Sequence, residues 1–303
     1  MRRMGDAATT QPHVNAEALV ASRFHQPPSQ FDGCFTTFYQ LALDVENGGT
    51  IRDHLLPEWA NIRFFGGAAP TARLGNSKVI GARLSATGPS SRPCEFVLGS
   101  SRMWGIGFLP LGWARFIDHD ASELANTACD GATHPAFAKF DVLSDVLCDP
   151  ALGTDTQLQV LIDTMDRLMR PHRDEPKIVR VNKALVSGDF TGVGDLADAC
   201  GMSIRTLERV CGRYFGFTPK LLMRRQRFMR SLTTFMLQKG TLWTDAMDEH
   251  YHDQAQFTRE FNEFMTMNPS EYAALDHPII ASFMESRARV WGSPAQTMDK
   301  PVR

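Results

Sequence analysis

Long apolar runs are missing from this chain. No stretch approaches the ~18 consecutive apolar residues that suggest a membrane span, so no membrane partner is expected. The start, Met1-Arg2-Arg3-Met4-Gly5-Asp6-Ala7-Ala8, has two arginines with no apolar segment behind them, which argues against a secretory signal. Cysteine is sparse: Cys34, Cys94, Cys129, Cys148, Cys200 and Cys211 are spread out and form no CxxC pair. That excludes a disulfide framework or a zinc site and favours buried free thiols in a cytoplasmic protein. An excess of either charge is also absent. Lys plus Arg total 32 against 34 for Asp plus Glu, a formal −2 over 303 residues. Coating nucleic acid by bulk charge is thereby excluded, while a local basic face is not.

The signatures of common catalytic sites are lacking as well. The sequence has no HExxH, no GxGxxG after a strand, no GxxxxGK[ST] and no GxSxG. Gly105-Ile106-Gly107 reads as a tight strand end, and His54, His119 and His134 stand apart from one another. No catalytic residue, metal or cofactor is expected, and the chain is read as a non-enzyme. The enzymatic alternative needs a reactive thiol near a cation; Cys94, two residues from Arg92, is the place to look.

What is present divides in two, an α+β chain of two domains. Residues 1–12 read as a disordered lead. Residues 13–153 form a β-rich mixed domain, with extended candidates at 35–45, 61–65, 78–84 and 103–108 and helical ones at 113–117 and 121–124. Residues 154–176 are a helix and linker. Leu158, Leu161, Ile162, Met165, Leu168 and Met169 recur at helical spacing, to pack on the first domain or to pair with a second copy. Pro171 to Pro176 then has the composition of a domain linker. Residues 177–276 are all helical, and residues 277–303 form a tail, frayed beyond Trp291.

The helical region repeats with a period of 50: Leu207 matches Phe257, Arg209 matches Arg259, Tyr214 matches Phe264 and Pro219 matches Pro269. Upstream the offset is 49, Ala197 matching Ala246, and a turn absorbs the difference. Each copy has helix-turn-helix anatomy. In the first, Val193–Cys200 leads to a turn at Gly201, a cap at Ser203 and a helix from Ile204 to Phe215. In the second, Leu242–Tyr251 leads to a cap at Asp253 and a helix from Gln254 to Phe264. Between Gly201 and Arg230 eight basic residues meet one acid, Glu208, a net +7 across thirty residues. Arg205, Arg209 and Arg213, spaced by four, share a face suited to phosphates and to guanine edges. The second copy is acidic around Arg259, with Asp245, Asp248, Glu249, Asp253, Glu260 and Glu263. It either contacts bases through Gln254, Gln256 and Arg259, or is a structural duplicate or a protein-binding surface.

These residues resemble the DNA-binding domain of AraC/XylS-type transcriptional regulators. The likeness rests on Leu196-Ala197 with Gly201-Met202-Ser203, Leu207-Glu208-Arg209, Gly216-Phe217-Thr218-Pro219, Asp253 to Phe261, and Pro269-Ser270-Glu271-Tyr272. It implies two helix-turn-helix units joined by a long helix, 219–238, with both reading helices in successive major grooves. It places base reading on Arg205, Glu208, Arg209, Gln254, Gln256 and Arg259. Backbone contacts fall to Ser203, Thr206, Arg213, Lys220, Arg224 and Arg225. The family pattern has glycine where this chain has His250 and Thr266. The first half is similar, less closely, to the N-terminal domain of one AraC subgroup, through Leu55–Phe64 and Gly105–Gly112. There Leu109 stands where that subgroup carries a basic residue. The expected function is sequence-specific transcriptional regulation by a homodimer. Its expected partners are double-stranded DNA, RNA polymerase, and a small-molecule or protein effector at the first domain. The alternative is a DNA-binding module fused to an enzymatic or adaptor domain.

Overall fold

A computed structural model describes residues 18–188, 190–238 and 242–299. The expected lead, residues 1–12, lies outside the described residues. Among the described residues the first half contains ten strands: β1 Ala18–His25, β2 Phe35–Val45, β3 Ile51–Leu55, β4 Asn61–Gly67, β5 Thr71–Leu74, β6 Ser77–Ile80, β7 Leu84–Thr87, β8 Cys94–Leu98, β9 Ser101–Phe108 and β10 Ala128–Asp130. They form an antiparallel six-stranded sheet, β1-β2-β9-β4-β7-β10, and an antiparallel four-stranded sheet, β3-β8-β5-β6. Strand alternation explains the layering. On β2, Tyr39, Leu41 and Leu43 belong to the core facing the smaller sheet, whereas Phe38 joins the core on the other face. On β9, Met103 faces the first core and Trp104, Ile106 and Phe108 the second.

The stretch expected as one strand, 78–84, is two. Gly81 turns the chain with φ +67, and β6 and β7 enter different sheets. Residues 121–124 lie in turns, not in the expected helix. The helices that cover the larger sheet are α1 Pro110–Phe116, α2 Ser144–Leu147 and α3 Thr154–Leu168. The apolar stripe of α3 packs inward: Leu161 and Met165 are fully buried, with Leu158, Ile162, Leu168 and Met169 against the same core.

The remaining helices are α4 Glu175–Ser187, α5 Val193–Ala199, α6 Ile204–Val210, α7 Pro219–Leu237, α8 Trp243–Ala246, α9 Gln254–Met265, α10 Pro269–Ala273 and α11 Ile280–Trp291. The expected helix 204–215 is α6 continued by one wide π turn, Cys211–Phe215. The expected helix 242–251 is reduced to the four residues of α8. The period of 50 is visible in the caps. Ser203 and Asp253 accept from the third residue of α6 and α9, and Thr218-Pro219 and Asn268-Pro269 start α7 and α10 alike. Gly216 ends the first copy at φ +81; its counterpart Thr266 adopts φ 58. The β-branched side chain makes that left-handed position costlier by roughly 1–2 kcal/mol than glycine would.

The two halves do not meet through a loose linker. The region read as a linker is packed: Asp174 is buried, and Arg115 of α1 pairs with Glu175 at 2.6 Å. One apolar core runs from Phe31 and Trp59 through Leu161 and Val181 to Leu207 and Phe215. The described part of the tail beyond Trp291, residues 292–299, is not frayed either. Thr297 is fully buried, and Gln226 of α7 donates to its carbonyl at 2.7 Å.

Candidate nucleic-acid interface and a buried cavity

In the first helix pair, Leu196 and Ala197 of α5 and Leu207 and Val210 of α6 are buried against one another. Gly201 takes φ +60 between them, as a short turn between crossing helices requires. With those residues inward, Arg205, Glu208 and Arg209 are left exposed on one side of α6. Ser203 is tied up as a cap, its Oγ accepting from Thr206 N at 3.2 Å and lying 3.0 Å from Thr206 Oγ1. Arg213 and Lys220 are exposed.

Arg209 reaches back to Asp174 at 3.6 Å. Asp174 also accepts from Lys177 at 2.7 Å and from Tyr214 Oη at 3.0 Å. The Lys177 hydrogen bond, followed by that from Tyr214, holds the Asp174 carboxyl down at about 2. The resulting stability is present above the ordinary carboxylate range and fades as pH falls through about 2. Asp174→Asn should therefore lower stability at neutral pH by at most about 2 kcal/mol, and the wild-type and variant unfolding curves should converge on acidification. Parallel curves down to strong acid would show that Asp174 contributes no charge-dependent stability.

The second pair presents Gln254 and Arg259 as exposed residues of α9. Gln256 is engaged, its Oε1 accepting from His252 N at 3.1 Å. Phe257, Phe261 and Phe264 are buried, and Trp243 of α8 stacks on Phe235. His250 closes its turn through Asp248 Oδ1, which accepts from His250 N at 3.0 Å.

The basic window is mostly occupied from within. Glu260, a buried residue of α9, accepts from Arg224 Nε at 2.9 Å, Arg227 Nη2 at 2.7 Å and Tyr251 Oη at 2.9 Å. Arg224 also pairs with Glu263, and Arg230 pairs with Asp248 at 2.6 Å. Three of the six acids that the sequence shows around the second copy, Asp248, Glu260 and Glu263, are thus counter-charges for the joining helix α7. Arg225, expected at the DNA backbone, is fully buried against the first half. Its guanidinium lies 3.9 Å over the Trp59 ring and donates to the Ser90 carbonyl at 2.9 Å. No phosphate can reach it in this conformation. Of the twelve expected contact residues, Ser203, Arg205, Glu208, Arg209, Arg213, Lys220, Gln254 and Arg259 are exposed, with the Ser203 hydroxyl engaged as a cap.

A second feature was not legible as a site: an apolar cavity between the two sheets and α11. Leu41, Phe65, Phe96 and Met103 line it from the strands, and Ile280 and Phe283 from the helix. The cavity has a volume of about 90 Å³. A polar row runs along one wall. Tyr39, Gly105 and Arg63 are cross-strand neighbours on β2, β9 and β4. A side chain at Gly105 would overlap the Tyr39 ring, and one at Gly107 would overlap Thr36 and crowd Gln296. Gly105-Ile106-Gly107 therefore makes room within β9, whereas a tight strand end was expected. Arg63 donates to Tyr39 Oη at 2.9 Å and pairs with the partly buried Glu58 at 2.6 Å. Asn61 donates to Gln296 Oε1 of the tail at 2.8 Å. Arg287 of α11 pairs with Asp299. Burial pushes the Glu58 carboxyl above its ordinary range. The available signal was small: Arg63 is a lone charge in the apolar run Ile62-Arg63-Phe64-Phe65.

α11 is also held at its start. Asp53 Oδ2 accepts from Ile279 N and Ile280 N, both at 2.8 Å. All six thiols are pushed up by burial, Cys34 and Cys129 to about 11 and Cys94 to about 12. That is the opposite of what a thiolate nucleophile needs.

Residues 196–274 match the family described as a helix-turn-helix domain. No curated protein matches the chain. Among solved structures, ToxT from Vibrio cholerae is similar at 10% identity, covering 84% of this chain and 97% of that one, with a TM-score of 0.44. The AraC-like transcriptional activator CuxR is similar at 14% identity, covering 70% of this chain and 86% of that one, with a TM-score of 0.30.

Proposed function

We propose, from the premise that the C-terminal region carries an AraC-type helix-turn-helix domain, that this chain is a sequence-specific transcriptional regulator and not an enzyme. The observation that carries the reading is the open face of α6. Arg205, Glu208 and Arg209 stand exposed on a helix whose opposite face is packed. In this reading α6 enters one major groove and α9 the next, roughly one helical turn or ~34 Å along the duplex. Arg205 and Arg209 read bases, with Gln254 and Arg259 as their weaker counterparts. Arg213 and Lys220 contact phosphates. Gln256 joins only if it releases its own helix cap, and Arg224 only if it gives up Glu260 and Glu263.

Arg209→Ala should weaken the preferred site by about 1–3 kcal/mol and flatten discrimination against changed base pairs. Fluorescence anisotropy on a panel of single-base variants of a selected site reads both. An equal loss on every sequence would assign Arg209 to the backbone instead.

The cavity beneath α11 is the seat we assign to a small-molecule effector. It is apolar with a few convergent polar groups, the usual make-up of such sites. Its walls come from the strands and from α11 together, so an occupant changes how the helical half sits on the sheets. A regulator also implies contact with RNA polymerase, and the homodimer remains part of the proposal. The stripe of α3 is buried within its own chain, so a dimer needs another face. Sedimentation of the full chain with and without DNA measures this, and a monomer in both would remove it.

A further inference from the structure

The charges around the cavity cancel. Its lining includes two guanidinium groups, Arg63 and Arg287, and each already holds a carboxylate: Glu58 on the first and Asp299 on the second. Two further polar groups on the wall, Tyr39 and Gln296, are engaged as well. Tyr39 Oη accepts from Arg63 and donates to Asn61 Oδ1 at 3.2 Å, and the Asn61 and Gln296 amides bond to each other in both directions. The rest of the lining is uncharged: Ser85, Thr87 and Cys94 add small polar groups, and Leu41, Phe65, Phe96, Met103, Ile280 and Phe283 are its main apolar surfaces.

An anion entering this space would lose its hydration and, among the described lining residues, find no guanidinium without a carboxylate already on it. It would have to displace Glu58 or Asp299, or sit beside them as a third negative charge in a medium that screens poorly. An ammonium meets the mirror-image difficulty, because both carboxylates are engaged. A hydroxyl or carbonyl meets neither difficulty, since it can share hydrogen bonds with Tyr39 or Gln296 without adding charge. We propose that the cavity selects an uncharged, largely apolar small molecule, and that the Glu58–Arg63 and Asp299–Arg287 pairs exclude carboxylates. This inference rests on the reading of the cavity as the effector seat. The cavity is tight, at about 90 Å³. Longer ligands must lift α11 from the strands, which links ligand length to the placement of the helical half.

The test uses the full chain at pH 7.5 and two probe series, the 1-alkanols from hexanol to decanol and the alkanoates of matching length, in isothermal titration calorimetry. The expected result is one alkanol site per chain, tightening several-fold per added methylene, with each alkanoate at least tenfold weaker. Ala72→Phe, which fills the cavity from β5, should abolish alkanol binding; unchanged binding there would place the site elsewhere and overturn the proposal. Glu58→Gln frees Arg63 from its counter-charge and should shift the alkanol-to-alkanoate ratio at least tenfold toward the acid. Asp299→Asn makes the same test at Arg287 if the first variant does not fold. Alkanoates binding the unaltered protein as tightly as alkanols would overturn the charge-selection inference while leaving the effector seat in place. Binding of neither series would overturn both.

Discussion

Glu260→Ala should destabilise the chain by about 3–5 kcal/mol, the range seen when one partner is removed from a buried ion pair. Glu260 is 3% exposed and is the acceptor shared by Arg224, Arg227 and Tyr251. Without it, two guanidinium groups on α7 lose their counter-charge in a partly buried setting, and a buried phenol loses its acceptor. Water can reach the two arginines, whose side chains are 28% and 20% exposed, so the lower end of the range is expected. The loss should appear in thermal unfolding of the full chain. It should come with a steeper salt dependence of DNA binding, because freed arginines are free to contact phosphates. A loss under about 1 kcal/mol would mean that Arg224 and Arg227 find other partners, and the network would then not hold α9 to α7.

Arg225→Met should do the reverse and raise stability by about 1–4 kcal/mol, as apolar replacement of buried charge often does. The guanidinium is fully buried, no acidic group among the described residues compensates it, and its Nε and Nη2 have no hydrogen-bond partner. Burial alone pushes the group down to about 9, so it remains charged at neutral pH and bears the full desolvation penalty. Against this stands the contact with the Trp59 face, worth about 2 kcal/mol when desolvated. Methionine fills a similar volume and keeps contact with the ring. Thermal unfolding decides the sign: a clear fall in stability would show that the cation–π contact outweighs desolvation. DNA binding adds a second reading. If α7 stays docked in the complex, affinity is unchanged. If α7 swings out and Arg225 reaches a phosphate, the variant binds more weakly with a salt slope smaller by about one.

The helical half was largely legible because its signals are local. A period of 50, a cap at Ser203 and Asp253, a proline opening α7 and α10, and a turn glycine at Gly201 are each set by a few neighbouring residues. The expected reading face of α6 followed from helical spacing once Leu207 and Val210 were placed inward. Local reading went astray where three-dimensional pairing prevails. The 78–84 segment is alternating and apolar enough for one strand, yet Gly81 divides it between two sheets. The proline-bounded segment 171–176 has the composition of a linker, yet Asp174 inside it anchors Lys177, Tyr214 and Arg209.

Charge shows the division most clearly. The sequence alone determined that +7 lies between Gly201 and Arg230 and that acid gathers around Arg259, because composition along a chain is independent of folding. Only the tertiary structure decided which of those charges face outward. It turned Arg224, Arg227 and Arg230 onto Glu260, Glu263 and Asp248, and drove Arg225 beneath Trp59. It left Arg205 and Arg209 on the surface. It likewise brought Glu58 and Arg63 to a wall completed by Arg287, from a helix more than two hundred residues away. Such pairings depend on distances set by packing across the whole molecule, and sequence separation carries no information about them.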